Sequence, residues 1–210
     1  MSSNTNSVPA GSTKTNVRTM VMIAMLGAIS MVLMWFEIPL WFAPAFYKMD
    51  LSEVPVMIGA FALGPVAGAM IELVKVLLKL VTKGTTTAFV GDIANYIIGC
   101  ALILPAGIIY KQKKSKKNAI IGMAAGTVFL TIVGCFLNAY VLLPAYGKAF
   151  GMEVEKLVAM GTAVNPAINS VATFVILAVA PFNLIKGAVV SVITLILYKY
   201  VSPLLKGHQL

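Results

Sequence analysis

Long apolar runs, separated by short polar or proline-rich breaks, divide this chain into successive helices. Residues 1–16 (MSSNTNSVPAGSTKTN) are small and polar and predict a flexible tail. The apolar run after Arg18 predicts a helix over about 17–38, ended by Pro39. That run is too long for a signal peptide and lacks a cleavage pattern, so it reads as a retained first helix. An aromatic, proline-punctuated loop follows at 39–53 (PLWFAPAFYKMDLSE), and its Trp41, Phe42, Phe46 and Tyr47, with Trp35 before it, suit a membrane interface. A second helix is expected over 52–63, broken at Gly64-Pro65, and a third from Pro65 to Val81.

After the turn at 82–87 (TKGTTT), the pattern predicts a fourth helix over 88–110, the segment KQKKSKK at 111–117, and a fifth helix over 119–143 ended by Pro144. The apolar run from Val171 to Tyr200 would measure about 45 Å as one helix, more than the roughly 30 Å of a bilayer core. Pro181 cannot continue a helix without losing a hydrogen bond. The sixth helix is therefore expected over 181–201, with 153–179 forming an outer loop that contains a partly buried helical piece. The reading is an all-α integral membrane protein: a six-transmembrane-helix bundle over 17–203, with tails at 1–16 and 204–210.

Composition strengthens the membrane reading. The chain is 60% hydrophobic and 11% charged, against about half and a quarter in soluble domains. The net charge of +9 does not point to nucleic acid, because Arg18 is the lone arginine and the densest lysine cluster is a short segment between apolar runs. Lysine in short loops is an orientation signal. Lys14, Arg18, the 111–117 segment, Lys199 and Lys206 fall on one side of a six-span chain, so both termini are expected in the cytosol. The loops at 39–53, 82–87 and 144–180 then face outward.

Chemistry is narrowed by what the chain contains. His208 in the tail is the single histidine, and Cys100 and Cys135 sit within apolar runs without a CxxC pattern, so no metal site is expected. No GxxxxGK[ST] occurs, so any ATP hydrolysis belongs to another chain. The informative residues are polar ones inside apolar runs, since a central charge costs about 2.5–3.5 kcal/mol on insertion scales. Glu72, Lys75 and Lys79 share one face of the third helix; the favoured reading is an internal ion pair, with Lys79 snorkelling outward. Gly91, Asn95 and Gly99 share a face of the fourth helix, where the glycines suit close packing but Asn95 needs partners. Asn138 and Tyr140 raise the same question. In PFNLIKG, Asn183 and Lys186 lie three apart, and two readings stand level: donation to a polar ligand, or a Lys186 that snorkels or pairs with Asp50 or Asp92. Ala24, Ala28, Gly27 and Ser30 form a small-residue stripe suited to helix docking, ordinarily within the chain itself.

Four stretches in this order, KMDLSEVPVMIGAFALGP (48–65), FVGDIANYIIG (89–99), LNAYVLLPAYGKAF (137–150) and PFNLIKG (181–187), resemble the riboflavin-specific S components of energy-coupling factor (ECF) vitamin transporters. The resemblance covers about 17–203. It implies a non-enzymatic substrate-capture subunit that uses no cofactor and takes riboflavin as its cargo. It also implies work with a transmembrane coupling subunit and two ATP-binding subunits in a bacterial cytoplasmic membrane. On that pattern Asn183 and Lys186 contact riboflavin, Gly91 and Asn95 lie beside its ring system, Lys48 and Asp50 belong to a gating loop, and Phe46 is a further expected binding residue. Asn138 and Tyr140 complete the expected binding set, and Ala24 and Ala28 are the expected docking motif. The resemblance tips Asn183 and Lys186 toward the ligand reading. An S component for thiamin, biotin or folate shares the same fold. A proton- or sodium-coupled carrier should need more embedded acids.

Overall fold

The computed structural model describes residues 17–44, 47–85 and 89–206. The expected tail at 1–16, residues 207–210 of the expected tail at 204–210, and Phe46 lie outside the described residues. Helices dominate: α1 (Val17–Met34), α2 (Glu53–Leu63), α3 (Pro65–Lys83), α4 (Val90–Gln112), α5 (Lys116–Leu137), α6 (Leu143–Phe150), α7 (Val154–Thr162), α8 (Val171–Phe174) and α9 (Ala180–Lys206). The first loop adds a small feature that periodicity missed. Strands β1 (Ile38–Pro39) and β2 (Lys48–Met49) pair antiparallel, Ile38 opposite Met49. α1 is shorter than expected, ending at Met34, and α9 runs to Lys206, past the expected domain end at 203.

Among the described residues, four helical stretches are long and apolar enough to cross a membrane: Val17–Met34, Val90–Gln112, Lys116–Ala149 and Val171–Tyr200. Two of them correct the proline reading. Pro144 does not end a helix, because residues 138–142 form a π-turn that joins α5 to α6. Pro181 does not start one, because residues 175–179 form a second π-turn that joins α8 to α9. In each case the residue before the proline donates its N–H five positions back, Leu143 to the Asn138 carbonyl and Ala180 to that of Val175. The proline's missing donor thus falls where the ladder changes register. Residues 153–179 accordingly hold α7, the turn after it, α8 and the π-turn, rather than a loop with one helical piece.

α2 is the hub. Nine of its eleven residues are buried, and it packs against α1, α3, α4 and α9. Met57, Ile58 and Phe61 interleave there with Ile71, Leu102, Ile103 and Val190. A second core joins Leu143, Leu157, Ile168, Phe174 and Val175 beneath α7. α1 keeps Leu26, Gly27 and Ser30 inward and leaves Val17, Met20, Val21, Ala24, Met25, Ala28, Ile29 and Val32 outward. The small-residue stripe therefore splits: Gly27 and Ser30 pack internally, while Ala24 and Ala28 lie on an exposed apolar face.

Charge is also buried in this apolar setting. The Lys75 ammonium lies 2.6 Å from Glu72 and 2.9 Å from Glu53, with all three side chains shielded from solvent. Close approach of α4 to α3 completes the enclosure, since a Cβ on Gly99 would stand 2.3 Å from Glu72 Oε1. The expected internal pair is thus present, with Glu53 as an additional partner. Lys79 does not snorkel: its Nζ lies 2.5 Å from Asp92 Oδ1 and 3.0 Å from the Gly84 carbonyl. A carboxylate thirteen residues on satisfies the ammonium better than a route to water.

Removing one partner of a buried ion pair costs about 3–5 kcal/mol, because it strands the remaining charge. Lys75→Met is therefore expected to lower the thermal unfolding temperature in detergent sharply. The double variant Lys75→Met/Glu72→Gln should recover most of that loss. A single variant as stable as wild type would show that the ion pair does not hold the helices.

Candidate functional site

The first loop, α3, α4, the α5–α6 junction and α9 converge on a cavity of about 470 Å3. That lies within the about 300–1,000 Å3 range of small-molecule sites. Its apolar wall includes Met34, Ile98, Leu142 and Phe182, with Tyr47 and Tyr146 adding amphipathic rings. Asn95, Asn138, Asn183 and Lys186 supply polar groups around that wall.

Lys186 enters from the second turn of α9 and is almost buried. Its Nζ lies 3.8 Å from Asp50 Oδ2 and 3.8 Å from Glu53 Oε1, close enough for attraction but too long for hydrogen bonds. The two sequence readings of Lys186 are thus compatible: it has carboxylate neighbours and still keeps donors for the cavity. Asp50 is fixed just before α2, where its Oδ1 accepts the Ser52 N–H at 2.8 Å. Burial alone would raise the Asp50 carboxyl, but Lys186 and Lys75 together with the Ser52 hydrogen bonds hold it below the ordinary carboxylate value.

The two buried asparagines each turn one face to the backbone. Asn183 Nδ2 donates to the Val179 carbonyl at 3.0 Å, and Asn138 Nδ2 donates to that of Gly134 at 2.7 Å. α5 admits Asn183 because residue 134 is glycine; a Cβ there would stand 2.6 Å from Asn183 Nδ2. Asn138 Oδ1 accepts the Tyr47 hydroxyl, which ties the first loop to the π-turn. The Tyr47 ring packs 5.3 Å from Phe182 and 6.1 Å from Phe174, centroid to centroid. Burial pushes the Tyr47 phenol above its ordinary value, so it remains a donor.

At the rim, Glu37 pairs with Lys48 at 3.0 Å and Lys83 at 3.3 Å, joining the first loop to α3. Lys48, Asp50, Gly91, Asn95, Asn138, Asn183 and Lys186 all line the cavity. Tyr140 does not: it is 71% exposed and rests against Phe136 on the outer surface. Residues two apart on a helix point to opposite sides, so Asn138 inward sends Tyr140 outward. Tyr47, Glu37, Lys79, Lys83, Asp92, Tyr146 and Phe182 were missed as site residues. Of these, Phe182 carried a usable signal, since it sits between Pro181 and Asn183 in the quoted motif.

A family model described as "ECF transporter, substrate-specific component" matches residues 18–198. The chain is 36% identical over 190 residues to a protein of Staphylococcus aureus (strain TCH60) named "Riboflavin transporter RibU", covering 90% of this chain and 93% of that one. It is 31% identical over 196 residues to "Riboflavin transporter FmnP" of Bacillus subtilis (strain 168), covering 92% and 96%. A solved structure titled "Structure and mechanism of the S component of a bacterial ECF transporter" superposes with a TM-score of 0.70 at 34% identity, covering 91% of this chain and 99% of that one.

Tyr47→Phe removes a hydroxyl and leaves a buried Asn138 oxygen without its donor, a cost of about 1–3 kcal/mol. The ring contacts stay. Lower thermal stability and faster hydrogen exchange at residues 47–50 are expected in Tyr47→Phe. Unchanged values in both measurements would show that the hydroxyl does not hold the loop.

Proposed function

We propose that this chain, which belongs to the substrate-specific components of ECF transporters, captures riboflavin in the cavity between its first loop and α9. The observation that carries the reading is the cavity: aromatic and aliphatic walls, two buried amides, and the Lys186 ammonium, which hydrogen-bonds to neither carboxylate beside it while Lys48, Lys79 and Lys83 are paired with Glu37 and Asp92. The flat isoalloxazine ring suits the walls, while its heteroatom edge and the ribityl hydroxyls need the polar groups. Riboflavin is cargo here, not a cofactor, and the chain is not an enzyme. A site built to hydrogen-bond a hydroxyl rejects analogues lacking it, because its own groups would be left unpaired.

Asn183 and Lys186 are proposed to donate to the ligand, with Asn95, Gly91 and Asn138 beside it. Lys48 and Asp50 belong to the loop over its entrance. Tyr140 is left out of this set. Uptake requires a transmembrane coupling subunit and two ATP-binding subunits. Ala24 and Ala28 are the proposed docking point, which their place on an outward apolar face supports.

The proposed topology is six spans over 17–203 of a bacterial cytoplasmic membrane, with both termini in the cytosol. Two observations support it. Met34, Lys83, Gly91 and Lys186 meet at the cavity, so Val17 and Lys206 lie toward the other end of their helices. The exposed lysines 111, 113, 114, 116 and 117 lie at the end of α4 remote from Gly91, as expected for a cytosolic connection.

Purified protein is expected to quench riboflavin fluorescence at nanomolar concentrations and to carry a flavin absorbance when isolated from flavin-containing cells. Lys186→Ala should weaken binding about tenfold or more, as for loss of a charged donor, and Asn183→Ala about three- to tenfold. Wild-type protein that leaves the fluorescence unchanged would refute riboflavin as the cargo. Ala24→Trp or Ala28→Trp should abolish uptake by the assembled transporter and leave binding intact; lost binding would mean that this face serves the chain's own packing.

A further inference from the structure

We propose that Lys75 is a positioning residue for the ligand site: by holding Glu53 it keeps the Lys186 ammonium available to the cargo. The inference rests on riboflavin being that cargo. Lys75 does not line the cavity and is completely buried beneath it. It reaches Ser52 Oγ at 3.4 Å beside Asp50, but its link to Lys186 runs through one oxygen atom. Glu53 Oε1 faces two ammonium groups, Lys75 at 2.9 Å and Lys186 at 3.8 Å. The shorter contact is a hydrogen bond and the longer one is not. Attraction between unit charges rises steeply as distance falls in a dry interior, so whichever ammonium sits closer holds the carboxylate.

The second neighbour of Lys186 is restrained as well. Asp50 is pinned at the start of α2 by the Ser52 N–H and presents Oδ2 at 3.8 Å. Lys186 is therefore stabilised by two carboxylates without being hydrogen-bonded to either, and its N–H groups stay open to the cavity. Glu72 supports the arrangement from the far side, holding Lys75 at 2.6 Å without touching Lys186. Without Lys75, Glu53 Oε1 would lose its nearer cation and draw Lys186 into a direct hydrogen bond, removing donors from the ligand.

The test compares riboflavin affinity, by fluorescence quenching, across variants of the full chain in detergent. Lys75→Met/Glu72→Gln removes one positive and one negative charge together, so the net buried charge is unchanged. Neutral replacement of a buried pair is often tolerated. Riboflavin affinity is expected to fall about tenfold in this variant, the size of losing one charge-assisted hydrogen bond. Adding Glu53→Gln should restore affinity to within about threefold of wild type, since an amide no longer competes for Lys186. A merely structural role for Lys75 predicts the reverse, because the triple variant loses still more of the network. Glu72→Gln alone leaves Lys75 on Glu53 and should stay within about twofold.

Wild-type affinity in Lys75→Met/Glu72→Gln, no recovery on adding Glu53→Gln, or a tenfold loss in Glu72→Gln alone would each overturn the proposal. A wild-type protein that does not bind riboflavin would overturn the functional reading itself, and this inference with it.

Discussion

The arrangement depends on a lysine ammonium held by two carboxylates at the centre of an apolar bundle. Removing an ammonium from water costs several kcal/mol, and only well-placed opposite charge offsets it. Glu53 begins α2, Glu72 and Lys75 lie in the middle of α3, and Gly99 of α4 closes over Glu72. Apolar packing alone would tolerate a range of rotations between these helices, whereas the 2.9 Å contact from Lys75 of α3 to Glu53 of α2 tolerates few. That ionic contact therefore fixes the register of α2 against α3 beside the cavity.

The upper half is organised by backbone irregularity. Two π-turns, at 138–142 and 175–179, pack against one another, and each precedes a proline. π-turns recur at functional sites because the inserted residue re-aims the side chains around it. Here Asn138 opens the first π-turn, and Asn183 donates to the carbonyl of Val179, which closes the second. The two buried amides at the cavity thus stand where the helices depart from the regular ladder.

The helices themselves were legible from apolar run lengths, and so were the polar outliers Lys75, Asn95, Asn183 and Lys186. A charge inside an apolar run requires a partner, whatever the fold. The partner's identity was less legible. Glu53 opens the second helix, where spacing names no partner, yet it is buried with its carboxylate 2.9 Å from Lys75. Tyr47 belonged to an aromatic cluster that suits an interface, and nothing in its spacing shows that it turns inward to Asn138 while Trp41 stays 90% exposed. Pro144 and Pro181 misled for a local reason: a proline ends a helix only when the ladder cannot shift around it.

The cavity lining runs from Met34 to Lys186, nearly the whole length of the described chain. A ribosome delivers these residues in order, and membrane helices partition as they emerge. No partly synthesised chain can own a complete site, because the ammonium and one of the buried amides arrive with the final helix. The cargo therefore has nothing to hold until assembly is finished. Occupancy then reports a whole subunit, which guards the membrane against half-built carriers that bind a vitamin they cannot deliver.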